Sequence, residues 1–151
     1  MRQKQHLCFA MAALLCLCLL AGCSGSKNAA EYLAVDGIDL DLTQLSGTMV
    51  YAEVFNMRYE PEDYYGKVIR IQGLFSAYTN PLTGDYYYNC IIPDATACCA
   101  QGIQFFLADE TLTYPEDFPE NGDTVTVWGT YEQIGDAYMG SLIGASMEPG
   151  E

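Results

Sequence analysis

Cys90, Cys98 and Cys99 fall between positions 90 and 99 with Asp94 among them, and after residue 23 the chain has no other cysteine. Three thiolates and a carboxylate can complete a four-coordinate zinc site, with sulfur at about 2.3 Å and oxygen at about 2.1 Å from the metal. The spacing is not the C-x₂-C pair of a zinc ribbon, and neighbouring residues of an extended strand point to opposite faces. Both Cys98 and Cys99 can therefore face one ion only if the chain bends over residues 96–100. Two other readings of the same residues stay open. Cys90 could form a disulfide with Cys98 or Cys99, closing a short loop that would stabilise the fold by about 2.5 kcal/mol in the chain-entropy picture. Alternatively, the thiols could be compact core hydrophobes. Thiol redox catalysis usually uses Cys-x-x-Cys, with two residues between the thiols, beside a helix start, a spacing this chain lacks.

Aromatic residues are the second candidate. Tyr86, Tyr87 and Tyr88 are consecutive among twelve tyrosines, and rings of this kind could stack sugars or peptide groups on a sheet face or simply pack across strands. Single-stranded nucleic acid would call for basic residues between the rings, and these are missing. Carboxylates are plentiful, yet no pair has a spacing that sets it apart from surface charge, as glycan hydrolysis would require.

The amino terminus decides what these side chains have to work with. Arg2 and Lys4 precede an apolar stretch from about residue 7 to residue 19, and Leu20-Ala21-Gly22 lead into Cys23. A charged head, a short apolar core and small residues before a cleavage point form an export signal. A cysteine directly after them resembles the lipobox of bacterial lipoproteins. The apolar core is shorter than the roughly 20 residues that cross a bilayer. The resemblance implies removal of residues 1–22, a diacylglycerol on the Cys23 thiol and an acyl chain such as palmitate on its amine. Such a chain is held at a membrane without spanning it, on the extracytoplasmic face.

Cleavage there would discard His6, the only histidine, and with it histidine triads, general bases and metal ligands. All twenty acidic residues follow Cys23, against only Lys27, Arg58, Lys67 and Arg70 among the basic ones. A balance this acidic disfavours nucleic acid, whose non-specific affinity comes from neutralised phosphates. It also disfavours anionic lipid headgroups, so the lipid must do the anchoring.

The elements that would position these residues follow from residue 24 onward. Residues 23–46 read as the lipidated cysteine and a flexible acidic tether, with Asp36, Asp39 and Asp41 solvated; their order does not match a calcium loop, because Gly47 stands where the closing Glu would be. Residues 47–149 read as one domain. Val50, Val54 and Met57, flanked by Tyr51 and Phe55, predict an amphipathic helix over 48–59. Pro61 opens a short turn-like helix with Glu62 and Asp63 in its first turn, and Gly66 ends it.

Strands are predicted over 67–78, 86–92, 103–108, 122–131 and 138–147. In the first, Ile69, Ile71, Phe75 and Ala77 face inward and Arg70, Gln72 and Ser76 outward, with Gly73 in the inward set. The fourth strand repeats its pattern, with Gly129 at the step of Gly73. A glycine there lets a strand coil between two sheets. Five strands with a coiled first strand predict a mainly β, five-stranded OB-fold-like barrel preceded by one helix.

The run "Y…GKVIRIQG" after a helix resembles the start of the tRNA-anticodon-like group of OB-fold domains, across roughly residues 48–147. "CIIPDATACCAQGIQF" with "YPEDFPENGDTVTVWGTY" is similar to an uncharacterised group of Firmicute extracytoplasmic proteins. The vicinal cysteines also resemble those of an OB-type domain in a bacterial permease subunit, which implies metal handling.

Taken together, the residues imply a non-enzymatic, lipid-anchored extracytoplasmic binding or accessory module. Its candidate zinc ligands are Cys90, Cys98, Cys99 and Asp94, and zinc is the only cofactor it suggests. Two alternatives are a protein of the cell envelope that binds or hydrolyses glycan or peptide, with Tyr86, Tyr87 and Tyr88 as its ligand face, and a structural partner of a membrane permease. The partners expected are the membrane and a permease or envelope component, without nucleic acid.

Overall fold

Alternation of Ile69, Ile71 and Phe75, all buried, with the half-buried Arg70 and Gln72 builds the strand on which the rest of the sheet depends. A computed structural model describes residues 37–150; the export segment at residues 1–22, Cys23 and the start of the tether lie outside the described residues. The protein is mainly β; the described residues form strands β1 (Leu40–Asp41), β2 (Val68–Thr79), β3 (Tyr86–Pro93), β4 (Ala100–Leu107), β5 (Thr124–Glu132) and β6 (Ser141–Pro149) and, among them, one α-helix, α1 (Gly47–Tyr59).

The sheet runs β1-β2-β3-β4-β6-β5 and β5 returns to pair with β2, so five strands form a ring. That is the connectivity the five predicted strands required. Strand β2 closes it by serving two partners: residues 68–74 pair with β5, and residues 74–79 pair with β3. Gly73 sits at this changeover. A Cβ placed there would meet the Ile91 carbonyl oxygen at 2.6 Å and the Cys90 sulfur at 2.8 Å, so a side chain is excluded by the close approach of β3. Gly129 plays the matching part in β5, where the register with β6 shifts between Trp128 and Thr130; its Cβ would lie 2.9 Å from the Ile143 carbonyl oxygen.

Helix α1 buries Val50, Val54 and Met57 against β3 and β4, as the spacing predicts. Phe55, expected beside that face, instead points outward and packs at a tilt against Tyr59 with centroids 4.3 Å apart. The helix is fastened at its far end by Tyr131. This fully buried phenol donates to the Met57 carbonyl at 3.1 Å and accepts from the Gly140 N–H at 3.0 Å, tying α1 to the loop between β5 and β6. A Tyr131→Phe substitution keeps the ring but strands both main-chain groups. It should lower stability by about 1–3 kcal/mol, read as the shift in urea midpoint of the full-length protein at unchanged m-value.

The tether ends earlier than the sequence suggests. Leu40 and Leu42 are fully buried, and β1 pairs in parallel with β2 through Leu40–Ile69 and Asp41–Arg70. Of the three aspartates expected to be solvated, Asp36 lies outside the described residues, Asp39 is exposed but hydrogen-bonded, and Asp41 is buried. Asp39 accepts from the Val68 N–H at 2.8 Å, and Asp41, buried to 1 % exposure, accepts from the Thr43 N–H and hydroxyl and pairs with Arg70 at 3.0 Å. Burial of two leucines contributes several kcal/mol and outweighs the local preference of an Asp-rich segment for water.

At the opposite end of the ring, the loop over residues 108–123 returns Tyr114 and Phe118 to the core. Phe118 stacks on Tyr88 at 4.4 Å and lies 5.9 Å from Phe75.

Candidate metal centre

The connection between β3 and β4 is a tight turn whose geometry is set by Asp94. Its Oδ1 accepts from the Thr96 N–H at 3.1 Å and the Cys98 N–H at 3.0 Å, while the Asp94 N–H donates to the Cys99 carbonyl at 2.9 Å. Short polar side chains that bond their own downstream backbone favour such turns. The bend takes Ala97 into the left-handed region at φ 54°. That conformation costs roughly 1–2 kcal/mol for a residue with a Cβ, and the Asp94 bonds hold it in place.

This is the bend that the vicinal cysteines need. The Cys98 and Cys99 sulfurs lie 3.7 Å apart, and the Cys98 thiol is 3.3 Å from Asp94 Oδ2 and 3.1 Å from the Thr96 hydroxyl. One ligand atom each from Asp94, Cys98 and Cys99 falls within 4.8 Å of the other two. Slight desolvation acts to raise the Asp94 pKa, but hydrogen bonds from the Cys98 thiol, Thr96 and the neighbouring main chain outweigh it and hold the carboxyl below its usual value. The Cys99 thiol is pushed up by its hydrogen bond with Cys98 and by the Asp94 charge. The surroundings thus favour the ionised form of the Asp94 carboxyl and the protonated form of the Cys99 thiol.

Cys90 does not join them. On β3 the pleat sends Tyr88, Cys90 and Ile92 to the inner face, and Cys90 is fully buried next to Gly73, while Cys98 and Cys99 are exposed on the turn. The four-ligand set expected from sequence thus reduces to three. The disulfide from Cys90 to the turn does not form either, and all three thiols are free. Burial pushes the Cys90 thiol up to about 12, the state of a packed hydrophobe rather than a ligand.

The tyrosine run is likewise divided by the pleat. Tyr86 and Tyr88 turn toward the loop over residues 108–123, where Tyr86 lies 4.7 Å from Tyr114. Tyr87 faces the opposite way, stacked on Tyr78 at 5.3 Å and 14°. A cleft of about 640 Å³ is edged by Glu116, Asp117, Asp123 and Glu148. Two of these are already committed to holding its loop: Asp117 accepts from the Thr113 N–H and Asp123 from the Glu120 N–H.

No protein family and no curated protein matches the chain. Among solved structures, it is similar to a proposed nucleic acid-binding lipoprotein from Klebsiella pneumoniae, at 20 % identity and a TM-score of 0.43, over 62 % of this chain and 80 % of that one. No helix among the described residues is long and apolar enough to cross a membrane.

Proposed function

We propose that the chain is a lipid-anchored extracytoplasmic binding module that holds a zinc ion on Asp94, Cys98 and Cys99. The observation that carries this reading is the 3.7 Å between the two sulfurs. Two sulfurs bound at about 2.3 Å at the tetrahedral angle stand about 3.8 Å apart, so the turn spaces them for a shared ion. Three protein ligands leave a fourth position for water or an incoming donor, and both cysteines are exposed. Structural zinc sites are closed by four protein ligands; an open, exposed site suits an ion that is taken up and passed on.

Attachment to a membrane rests on the Leu20-Ala21-Gly22-Cys23 sequence. The nucleic-acid binding proposed for the Klebsiella protein is not part of this reading. Twenty acidic residues would oppose the phosphate contacts from which such binding draws its strength.

Full-length protein purified without oxygen should carry one equivalent of zinc by elemental analysis. A Cys98→Ser, Cys99→Ser double variant should lose it, and Cys90→Ala should retain it. Zinc must displace the proton that Cys99 holds, so affinity should rise with pH across the neutral range. Fully reduced protein that takes up no zinc, or a double variant that binds as well as the wild type, would overturn the assignment.

A further inference from the structure

Cys98 and Cys99 have a second chemistry besides metal binding, and the turn that carries them favours it. Neighbouring residues of an extended strand point to opposite faces, so adjacent thiols ordinarily stay apart. Here the bend over Asp94, Thr96 and Ala97 brings the two sulfurs to 3.7 Å. A disulfide needs about 2.05 Å, an approach of less than about 2 Å that rotation of two exposed side chains can supply. Residues 95–100 are all exposed, and the bonds that shape the turn come from the Asp94 side chain and main chain. Closure would draw on no core contact, and the ladder between β3 and β4, which begins at Pro93 and Ala100, would stay in place.

The surroundings define how such a bond would behave. The peptide bond between the two cysteines is trans, which sets their Cα atoms about 3.8 Å apart. Ordinary disulfides span roughly 4.4–6.8 Å between Cα atoms, and a bond closed across a shorter span is strained and readily reduced. It would open and shut rather than staple the fold. The third thiol cannot compete, because Cys90 is fully buried on the inner face of β3. A sulfur consumed in a disulfide is no longer a thiolate ligand, so closure leaves Asp94 as the only member of the Asp94, Cys98 and Cys99 group able to hold an ion.

The geometry points to a reversible vicinal disulfide between Cys98 and Cys99, formed by exchange with an exogenous disulfide, that releases the ion held on the turn. The release rests on the zinc assignment above; the closure does not. One cysteine, its proton given to water, attacks a sulfur of the oxidant, whose own S–S bond breaks: a mixed disulfide forms, and the first thiolate leaves and takes up a proton. The neighbouring cysteine, likewise deprotonated, attacks the protein sulfur of that mixed disulfide and expels the second thiolate. The pair loses two electrons, and the oxidant is reduced to two thiols. Because closure and ion binding exclude each other, the ion must in turn protect the pair from oxidation.

The test incubates reduced full-length protein, with and without one equivalent of zinc, with oxidised glutathione. The sample is then quenched with an alkylating reagent and cleaved after aspartate, which separates Cys90 from the peptide of residues 95–109 that carries both turn thiols. In the metal-free protein that peptide should resist alkylation and weigh two hydrogens less, and dithiothreitol should reverse both changes. Cys90 should stay reduced, and Cys99→Ser should instead retain glutathione on Cys98. Zinc should slow closure, and the closed protein should bind zinc at least about a hundredfold more weakly, since losing two ligands exceeds the cost of disturbing their partners. Thiols that remain open to alkylation, stable glutathione adducts on the wild type, a link to Cys90 or to a second copy, or zinc held at full affinity after closure would overturn the proposal. Closure of a protein whose reduced form takes up no zinc would support the vicinal disulfide and overturn the metal assignment on which its role in release depends.

Discussion

A Gly73→Ala protein should be less stable than the wild type by about 3 kcal/mol, the upper part of the range for overpacking a well-filled interior. The added methyl would lie 2.5 Å from Ile92 Cδ1, 2.6 Å from the Ile91 carbonyl oxygen and 2.8 Å from the Cys90 sulfur. The isoleucine tip can swing away. The carbonyl cannot, because Ile91 pairs with both Leu74 and Gly102 in the ladders that close the ring. Relief must therefore come from separating β2 and β3 where β2 changes partners. Gly102→Ala is the internal comparison: its methyl would meet only the end of the Ile91 side chain, at 3.0 Å, and should cost less than about 1 kcal/mol. Urea unfolding of the two variants measures the difference. Equal midpoints would show that β2 and β3 have slack that the geometry denies.

The second large effect is loss of stability in alkali. The Cys90 thiol ionises near pH 9 when the chain is unfolded, whereas burial pushes it up to about 12 in the folded protein. The folded state holds that proton more tightly. Its contribution is complete below about pH 9 and is lost as pH climbs through 12, amounting to about 4 kcal/mol across that window. Tyr131, also raised to about 12 by burial, and Tyr64, raised by burial and by its bond to Glu53, add to the loss only above pH 10. Between 9 and 10 only thiols contribute, and the raised Cys99 thiol, present in both proteins, cancels when the wild type is compared with Cys90→Ala. Between pH 8 and pH 10 the wild type should lose about 1.4 kcal/mol more stability than Cys90→Ala does, on top of any constant cost of the cavity. Parallel pH profiles for the two proteins would mean that Cys90 is not sealed in the core.

Much of the sheet is legible in the amino-acid pattern because period-two alternation and glycine placement are local signals. Ile69, Ile71 and Phe75 announce β2, and Gly73 and Gly129 mark the points where strands come too close for a side chain. The segment from Ile38 to Leu42 carries the same alternation, with Leu40 and Leu42 buried, but its aspartates mask it. Their donors, the Val68 N–H and the Arg70 guanidinium, lie some 30 residues away in sequence, so local composition suggests solvation where the folded chain has pairing.

The candidate site divides along the same line. Asp94, Thr96, Cys98 and Cys99 are close in sequence, and one Asx-type turn brings them together. Cys90 lies before Pro93, where strand pleat rather than turn geometry decides its direction, and it faces the interior. The run Tyr86–Tyr87–Tyr88 is split by the same pleat. A cleft lined by Asn89 of β3, Gln104 and Phe106 of β4, and Ile134 and Met139 of the loop between β5 and β6 is assembled from distant segments, and no short stretch of sequence announces it.

Closure of the ring also bears on self-association. Each of β2, β3, β4, β5 and β6 has a neighbour on both sides, and β1 lies along the first half of β2, which β3 leaves uncovered. Open ladders are the usual templates on which folded proteins polymerise. If the proposed lipid anchor crowds copies into two dimensions, the described residues would have little free main-chain ladder to offer one another, so the copies should remain separate at densities that would drive an open sheet into fibrils.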